Sequence, residues 1–406
     1  MREDSTRTPA PVNSRVTSID IMRGFTILLM AFVNDLRDFV PAQDVPQWLR
    51  HMEAGIDGFT FVDLIMPVFM FLLGVSVPLA LGKRLSQNEP ILRIVGHVLI
   101  RSGSLIAMGL MDVNRWEGKL GTSYGMMLDW PLGLWKFLAW TLIFVVWLDF
   151  PKESRWVVNA HRLARVVGLA GLIWLALVFR TSTGGRFTTS WWATLGQLGW
   201  AYLLASGTWL LFRNNRMGII GVFILLHSAY IGMKSGLWEG NGLVNWIGPS
   251  LLGATSANAI AGLYLGSLLC DNSGAVARIR QALGVALFTG IAALLLRPVG
   301  GLHSPSTSWS LSATTIALVI WAPLSWCTDV RGWTTGLGPF RTIGSNSLLL
   351  YQLSRYWIFV YWLSGLAFYH TLAESTPLGI SRAFVYTLFL GVMTVIATRN
   401  RVLLRV

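Results

Sequence analysis

Apolar residues along this chain gather into twelve runs, separated by glycine, proline, asparagine and charged clusters. They lie roughly at 18–37, 59–82, 91–112, 132–149, 162–180, 191–212, 217–234, 249–270, 279–297, 309–328, 342–364 and 381–398. A helix needs about 17–25 apolar residues to cross about 30 Å of hydrocarbon. It also satisfies its backbone polar groups within one segment, as a bilayer demands. The pattern predicts an all-α, polytopic integral membrane protein with about 12 (10–12) transmembrane helices. The run at 217–234 is the least regular, because glycines and His227 interrupt it. Residues 1–17 form a polar tail and residues 18–406 read as a single transmembrane domain.

Composition agrees. Of the 406 residues, 53% are hydrophobic and 13% charged, and 20 are tryptophan. Soluble domains carry about 25% charged residues. No small-residue cleavage site follows the first apolar run, so that run is expected to stay in the product. Cys270 and Cys327 sit in no CxxC motif and near no clustered histidines. They are expected to be small buried residues near helix ends, with no metal site. Trp130, Trp191, Trp192, Trp309 and Trp362 fall near span ends, as an interfacial belt would.

Charge gives an orientation. With the N-terminus inside, the inner connections and tails hold 20 of the 32 Lys and Arg but only eight of the 19 acids. Basic residues favour the cytoplasmic side, so the chain is expected to be N-in and C-in, with residues 1–17 a cytoplasmic tail. The formal net charge of +13 is then mostly topology. No basic–aromatic groove or known module points to nucleic acid. The expected partner is the lipid bilayer.

The first hairpin, from Ser18 to Arg84, holds the candidate chemistry. Asn34, Asp35, His51, Asp57 and Asp63 surround one turn on the outer side. Asp20 and Arg23 lie at the inner end of the first helix, and Lys83 and Arg84 at the inner end of the second. Eleven residues at about 1.5 Å each put Asn34 about 16 Å further along the axis than Arg23. Ionisable groups at a membrane boundary are costly and mark functional sites by default. Plainer readings exist for each. His51 could be a solvated loop histidine, and Asn34, Asp35 and Asp63 could cap helix ends. Asp20 and Arg23 could form a surface i,i+3 pair. Lys83, Arg84, Arg341 and Arg399 serve first as positive-inside anchors. His97 and His161 fall at inner helix ends and read as interfacial. His227 is either hydrogen-bonded in the bundle or lines a cavity. His303 and His370 share the outer side with His51.

At these residues the chain resembles the heparan-α-glucosaminide N-acetyltransferase family, especially its bacterial branch. The resemblance rests on a D-x-x-R-G start (Asp20, Arg23, Gly24) running into Phe32-Val33-Asn34. The histidine loop with His51 follows, and then Gly58, Thr60, Asp63, Leu64, Pro67, Phe69, Phe71, Gly74 and Ser76. Segments at 195–205, 248–269 and 306–315 continue it, as do Gly344, Asn346, Ser347 and Tyr351. The similarity runs in order through nearly the whole chain. Two departures stand out: the His51–Gly58 spacing is two residues longer than in the human-type enzyme, with Glu53 and Asp57 in the loop. The pair of runs at 132–180 is shared with the bacterial branch alone.

The resemblance implies a transmembrane acetyl transfer, with acetyl-CoA as the cytoplasmic cosubstrate and a sugar or glycan acceptor across the bilayer. No metal is implied. It gives His51 the role of general base, typically worth ~10²–10⁴-fold, or of an acyl-carrying nucleophile. Asn34 would donate to the thioester oxyanion, a role worth roughly 3 kcal/mol. Asp63 would fix the imidazole tautomer or orient the acceptor. Arg23, Lys83, Arg84 and Arg341 would face the CoA phosphates, while Asp57, His303 and Asn346 would contact substrate. A homodimer and a bacterial inner (plasma) membrane location follow by the same analogy. Two alternatives remain: a membrane O-acyltransferase of envelope polysaccharide, and a non-enzymatic permease or flippase. Against the permease, the two halves show no internal repeat of the kind many transporters carry.

Overall fold

The computed structural model describes residues 16–53, 55–114, 132–152, 154–180, 185–191, 193–213, 215–237, 239–251, 254–271, 273–364 and 376–406. It is an all-α bundle. The helices are α1 (Thr17–Phe39), α2 (Phe61–Ser86), α3 (Ile91–Asn114), α4 (Leu132–Trp147), α5 (Arg155–Val178), α6 (Thr194–Phe212) and α7 (Arg216–Lys234). They continue as α8 (Gly242–Leu251), α9 (Ala254–Leu269), α10 (Ala275–Gly300), α11 (Thr307–Ser325), α12 (Gly338–Ser345), α13 (Ser347–Ser364) and α14 (Thr376–Arg399). A two-residue strand after α4, β1 (Leu148–Asp149), pairs antiparallel with β2 (Leu403–Leu404).

Every predicted apolar run falls on helix, but the runs are not equal. Among the described residues, seven helices are long and apolar enough to cross a membrane: α2, α3, α5, α7, α10, α11 with the turn that follows it, and α14. The rest are shorter or more polar. The described part of α4 is 16 residues, and α1 carries Asp20, Arg23, Asp35, Arg37 and Asp38. One run is divided among the described residues: the one at 342–364 breaks at Asn346. Asn346 leaves the helical conformation because its amide serves other partners: it donates to Thr398 Oγ1 (3.0 Å) and Val402 O (3.1 Å) and accepts from Leu404 N (3.1 Å).

Contacts sort the helix ends onto two faces. On one, Ser18 N donates to Asp329 Oδ1 (3.2 Å), Arg23 reaches Gly344 O (3.4 Å), and Arg405 pairs with Asp149 (3.3 Å). The start of α1 and the chain's last residues therefore share a face. On the other, Asp57 pairs with Arg297 (2.9 Å), Asn114 Nδ2 donates to Thr188 O (3.0 Å), and Tyr230 donates to Pro305 O.

Small residues bring the backbones together, as they do in membrane bundles generally. A Cβ on Gly24 would overlap Phe340 O, and one on Gly344 would overlap Asp20 O, so α1 and α12 touch backbone to backbone. Gly74 and Gly262 do the same for α2 and α9.

Four expectations need correction. Trp309 is buried in the bundle rather than placed in an interfacial belt. Cys270 is exposed, because it follows the end of α9 in a turn. His227 is buried with neither ring nitrogen hydrogen-bonded among the described residues; its ring packs edge-on against Phe223, centroids 4.7 Å apart. Asp20 is buried, so its pair with Arg23 is not a surface pair. His370, Trp130, Trp192 and the side chain of Trp362 lie outside the described residues.

Candidate functional site

The loop between α1 and α2 folds back on the start of α2. Thr60 caps that helix through its side chain, and Asp63, three residues on, completes a capping box. The two Asp63 oxygens divide the work. Oδ2 accepts from Thr60 N (2.8 Å), Thr60 Oγ1 (3.2 Å) and Met52 N (3.1 Å). Oδ1 is left to His51 Nδ1 at 2.7 Å. The cap and the histidine contact coexist because each uses its own oxygen. An ionised carboxylate only accepts, so Nδ1 is the donor, and in the neutral imidazole this tautomer leaves the lone pair on Nε2. The His51 side chain is 54% exposed while Asp63 is 6% exposed, so an anchored carboxylate holds an accessible ring.

Asp57 ties the same loop to α10 and to the connection that follows it. It accepts from Arg297 Nη2 (2.9 Å), Arg297 Nε (3.1 Å) and the Leu302 N–H. That amide, then the guanidinium, holds the Asp57 carboxyl below the usual carboxylate range. His303 lies alongside. Gly301 takes a φ of +69° there, and a Cβ on it would come within 2.9 Å of His303 Nδ1 and 3.0 Å of Asp57 Oδ1. His51, Asp57, Asp63 and His303 thus gather at one face. Asn34 sits on α1 toward the same end, half-buried. Because α1 runs on to Phe39 and ends at Val40, neither Asn34 nor Asp35 caps it.

From the opposite face a cavity of about 500 Å³ opens into the bundle beside α1 and α2. Asp20, Arg23, Ser76, His97, Arg101 and Arg405 line it, with Met30, Phe69 and Tyr351 deeper in. Arg23 donates to Asp20 Oδ1 (3.2 Å) and to Ser76 Oγ. Arg101 lies over the Tyr202 ring at 4.7 Å, and its Nε is buried without a hydrogen-bond partner among the described residues. Such an orphaned donor, beside two further arginines, suits an anionic, phosphate-bearing molecule. Phe69 is six residues past Asp63 and Met30 four before Asn34, which puts the cavity's inner end about 9 Å and 6 Å short of them along the helices.

The other predicted residues separate. Arg84 pairs with Glu89 (3.0 Å) and contacts His97 Nε2 (3.2 Å), so it meets the cavity only through His97. Lys83 and Arg341 are exposed at that face and are not among the cavity's lining residues. Asn346 lies at the cavity and not beside Asp57 and His303.

Sequence reasoning missed Arg101, which lies within an apolar run and follows no local motif. It also missed a buried ionic network. Asp35 pairs with Arg382 (2.8 Å; 1% and 5% exposed) and Asp38 with Arg355 (3.1 Å), while Tyr351 donates to Asp112 Oδ2 (3.2 Å). These partners stand hundreds of residues apart. The signal available was the charge itself, since acids and arginines within apolar helices need partners.

Residues 15–253 match the family described as Domain of unknown function (DUF5009). The chain is 24% identical over 365 residues to heparan-alpha-glucosaminide N-acetyltransferase of Mus musculus, in an alignment covering 83% of this chain and 53% of that enzyme. To the Homo sapiens enzyme of the same name it is 31% identical over 100 residues, covering 25% of this chain and 14% of that one. The chain therefore spans about half the length of the mouse relative, and the relationship is distant.

Proposed function

The chain belongs to the DUF5009 family, and on that premise we propose that it is a membrane acetyltransferase. In this reading acetyl-CoA enters from the cytoplasm, and the acetyl group passes to an amino sugar or glycan on the other side of a bacterial inner membrane. The observation that carries it is the His51–Asp63 pair at 2.7 Å, standing at the opposite end of the same two helices from an arginine-lined cavity. A transfer between compartments needs both ends. The distant relationship to an N-acetyltransferase supports the reaction class.

The cavity mouth takes the donor, with Arg23, Arg101 and Arg405 facing its phosphates, and its N-in, C-in sidedness follows the positive charge. At the far end His51 Nε2 removes the proton from the acceptor ammonium. The freed amine attacks the thioester carbonyl; the C–N bond forms, the C–S bond breaks, and the thiolate leaves to take up a proton. Alternatively His51 attacks first and carries the acetyl group as an acyl-imidazole before handing it to the amine. Asp63 holds the tautomer in either route, and Asn34 stabilises the oxyanion.

The test is acetyl transfer from labelled acetyl-CoA to an amino-sugar acceptor by the purified protein. His51→Ala should lower transfer by ~10²–10⁴-fold while leaving the protein folded. Wild-type turnover in that variant would overturn the mechanism. Mass spectrometry of the product separates an amide from an ester.

A further inference from the structure

A second pocket, of about 210 Å³, lies between the C-terminal ends of α7 and α10 and the start of α11. It is on the His51 face, next to the Asp57–Arg297 contact. Its polar lining is Tyr230, Lys234, Ser235, His303 and Thr307. Three observations give it a sign. Lys234 stands at its edge with Nζ 5.9 Å from the Tyr230 ring centroid, a cation held over an aromatic face. Thr307 is the first residue of the 19-residue α11, where amide dipoles leave partial positive charge. The opposite charge at the ends of α7 and α10 is blunted, because carbonyls there accept from the Ser235, Gly236, Leu237 and Gly301 amides. Thr307 is also buried (5% exposed), and its Oγ1 has no hydrogen-bond partner among the described residues. A buried hydroxyl left unpaired costs about 1–3 kcal/mol, and a ligand oxygen would relieve that. Of the carboxylates near it among the described residues, Asp57 is matched by Arg297 and the Leu302 amide. Glu239 stands exposed in the turn after α7, its Oε1 3.4 Å from where a Cβ on Gly236 would be.

We infer that this pocket binds an oxyanion, a phosphate, sulfate or carboxylate group, through Lys234, His303 and Thr307 at the start of α11. The volume is about seven times the 30 Å³ that a water occupies in the liquid, so part of the molecule carrying the group also fits. That the oxyanion belongs to the sugar acceptor rests on the acetyl-transfer reading; that the pocket takes an oxyanion does not.

The test measures binding without acetyl-CoA, to the full chain in phosphatidylcholine nanodiscs, with glucosamine, glucosamine 6-phosphate and inorganic phosphate as probes. Glucosamine 6-phosphate should bind at least ~10-fold more tightly than glucosamine, about 1.4 kcal/mol. Inorganic phosphate should compete with it. Lys234→Gln and Thr307→Val should each erase the preference, whereas Lys83→Gln, at the opposite face, should keep it. Lys234 is exposed, so its variant tests the pocket even if Thr307→Val fails to fold. Repeating the measurement with phosphatidylglycerol in the disc identifies the source: unchanged binding points to a soluble acceptor, and weakened binding to a lipid headgroup phosphate. Equal affinity for the two sugars, or a preference that survives Lys234→Gln, would overturn the inference. Loss of acetyl transfer with the preference intact would sink the enzymatic reading and leave the pocket standing.

Discussion

At the residue scale the most consequential atom is Asp63 Oδ1. Its partner oxygen is spent on the loop and the helix cap, so the histidine contact is an addition to a structural role. Two variants separate these jobs. His51→Ala should lower kcat by ~10²–10⁴-fold, with a small change in thermal unfolding because the ring is half exposed. Asp63→Asn should lower kcat and also cost about 1 kcal/mol of stability through the weakened cap, read as a lower Tm. A Tm loss with full activity would reduce Asp63 to a cap. Asp57 makes a pH prediction. Its carboxyl is held below the usual range by the Leu302 amide and Arg297. A carboxylate depressed in the folded state stabilises it above the unfolded pKa, and that contribution is lost as pH falls through the folded value. The tie from the His51 loop to α10 should therefore be whole above about pH 4 and weaken only below it. Exchange protection of the Leu302 amide should follow that course in the wild type and be independent of pH in Asp57→Asn. His51, Asp57, Asp63 and His303 were legible in the sequence as polar residues on one side of a topology. That Asp63 serves helix and histidine with separate oxygens was not, because a loop's path depends on what it packs against.

At the element scale, α1 is the unusual helix: long enough to span, yet charged at both ends. Its two acids near the outer end, Asp38 and Asp35, are matched by Arg355 on α13 and Arg382 on α14. Removing one member of a buried pair leaves an uncompensated charge, typically at a cost of about 3–5 kcal/mol. Arg382→Ala should therefore lower the unfolding midpoint sharply, and adding Asp35→Leu should recover much of the loss. Additive damage in the double variant would mean the pair is not coupled. Helix positions followed from apolar runs, because hydrocarbon permits little else. The break at Asn346 did not, because its amide partners come from residues 398–404. Gly24 and Gly344 show the same limit: a glycine reads as permissive in a sequence, but which backbone approaches it is set by packing.

At the scale of the whole molecule, the two faces make a sidedness prediction. In a background with Cys270 and Cys327 replaced by serine, cysteine introduced for Gln87 should react with an impermeant thiol reagent only from the cytoplasm. Cysteine introduced for Gln43 should react only from the other side; both positions are exposed. Labelling in the reverse sense would invert the proposed direction of transfer. The sequence by itself determined the all-α membrane class, the stretches that become helix and the charge asymmetry, because these depend on residue-by-residue partition between water, interface and hydrocarbon. It also placed His51 and Asp63 together, since they lie 12 residues apart on one loop and helix start. Only the tertiary structure decided which arginines line the cavity, which acids are paired inside the bundle, and that the buried Thr307 hydroxyl lacks a partner among the described residues. Those outcomes come from contacts between segments far apart in the chain, and no local pattern encodes which of many apolar helices will pack together.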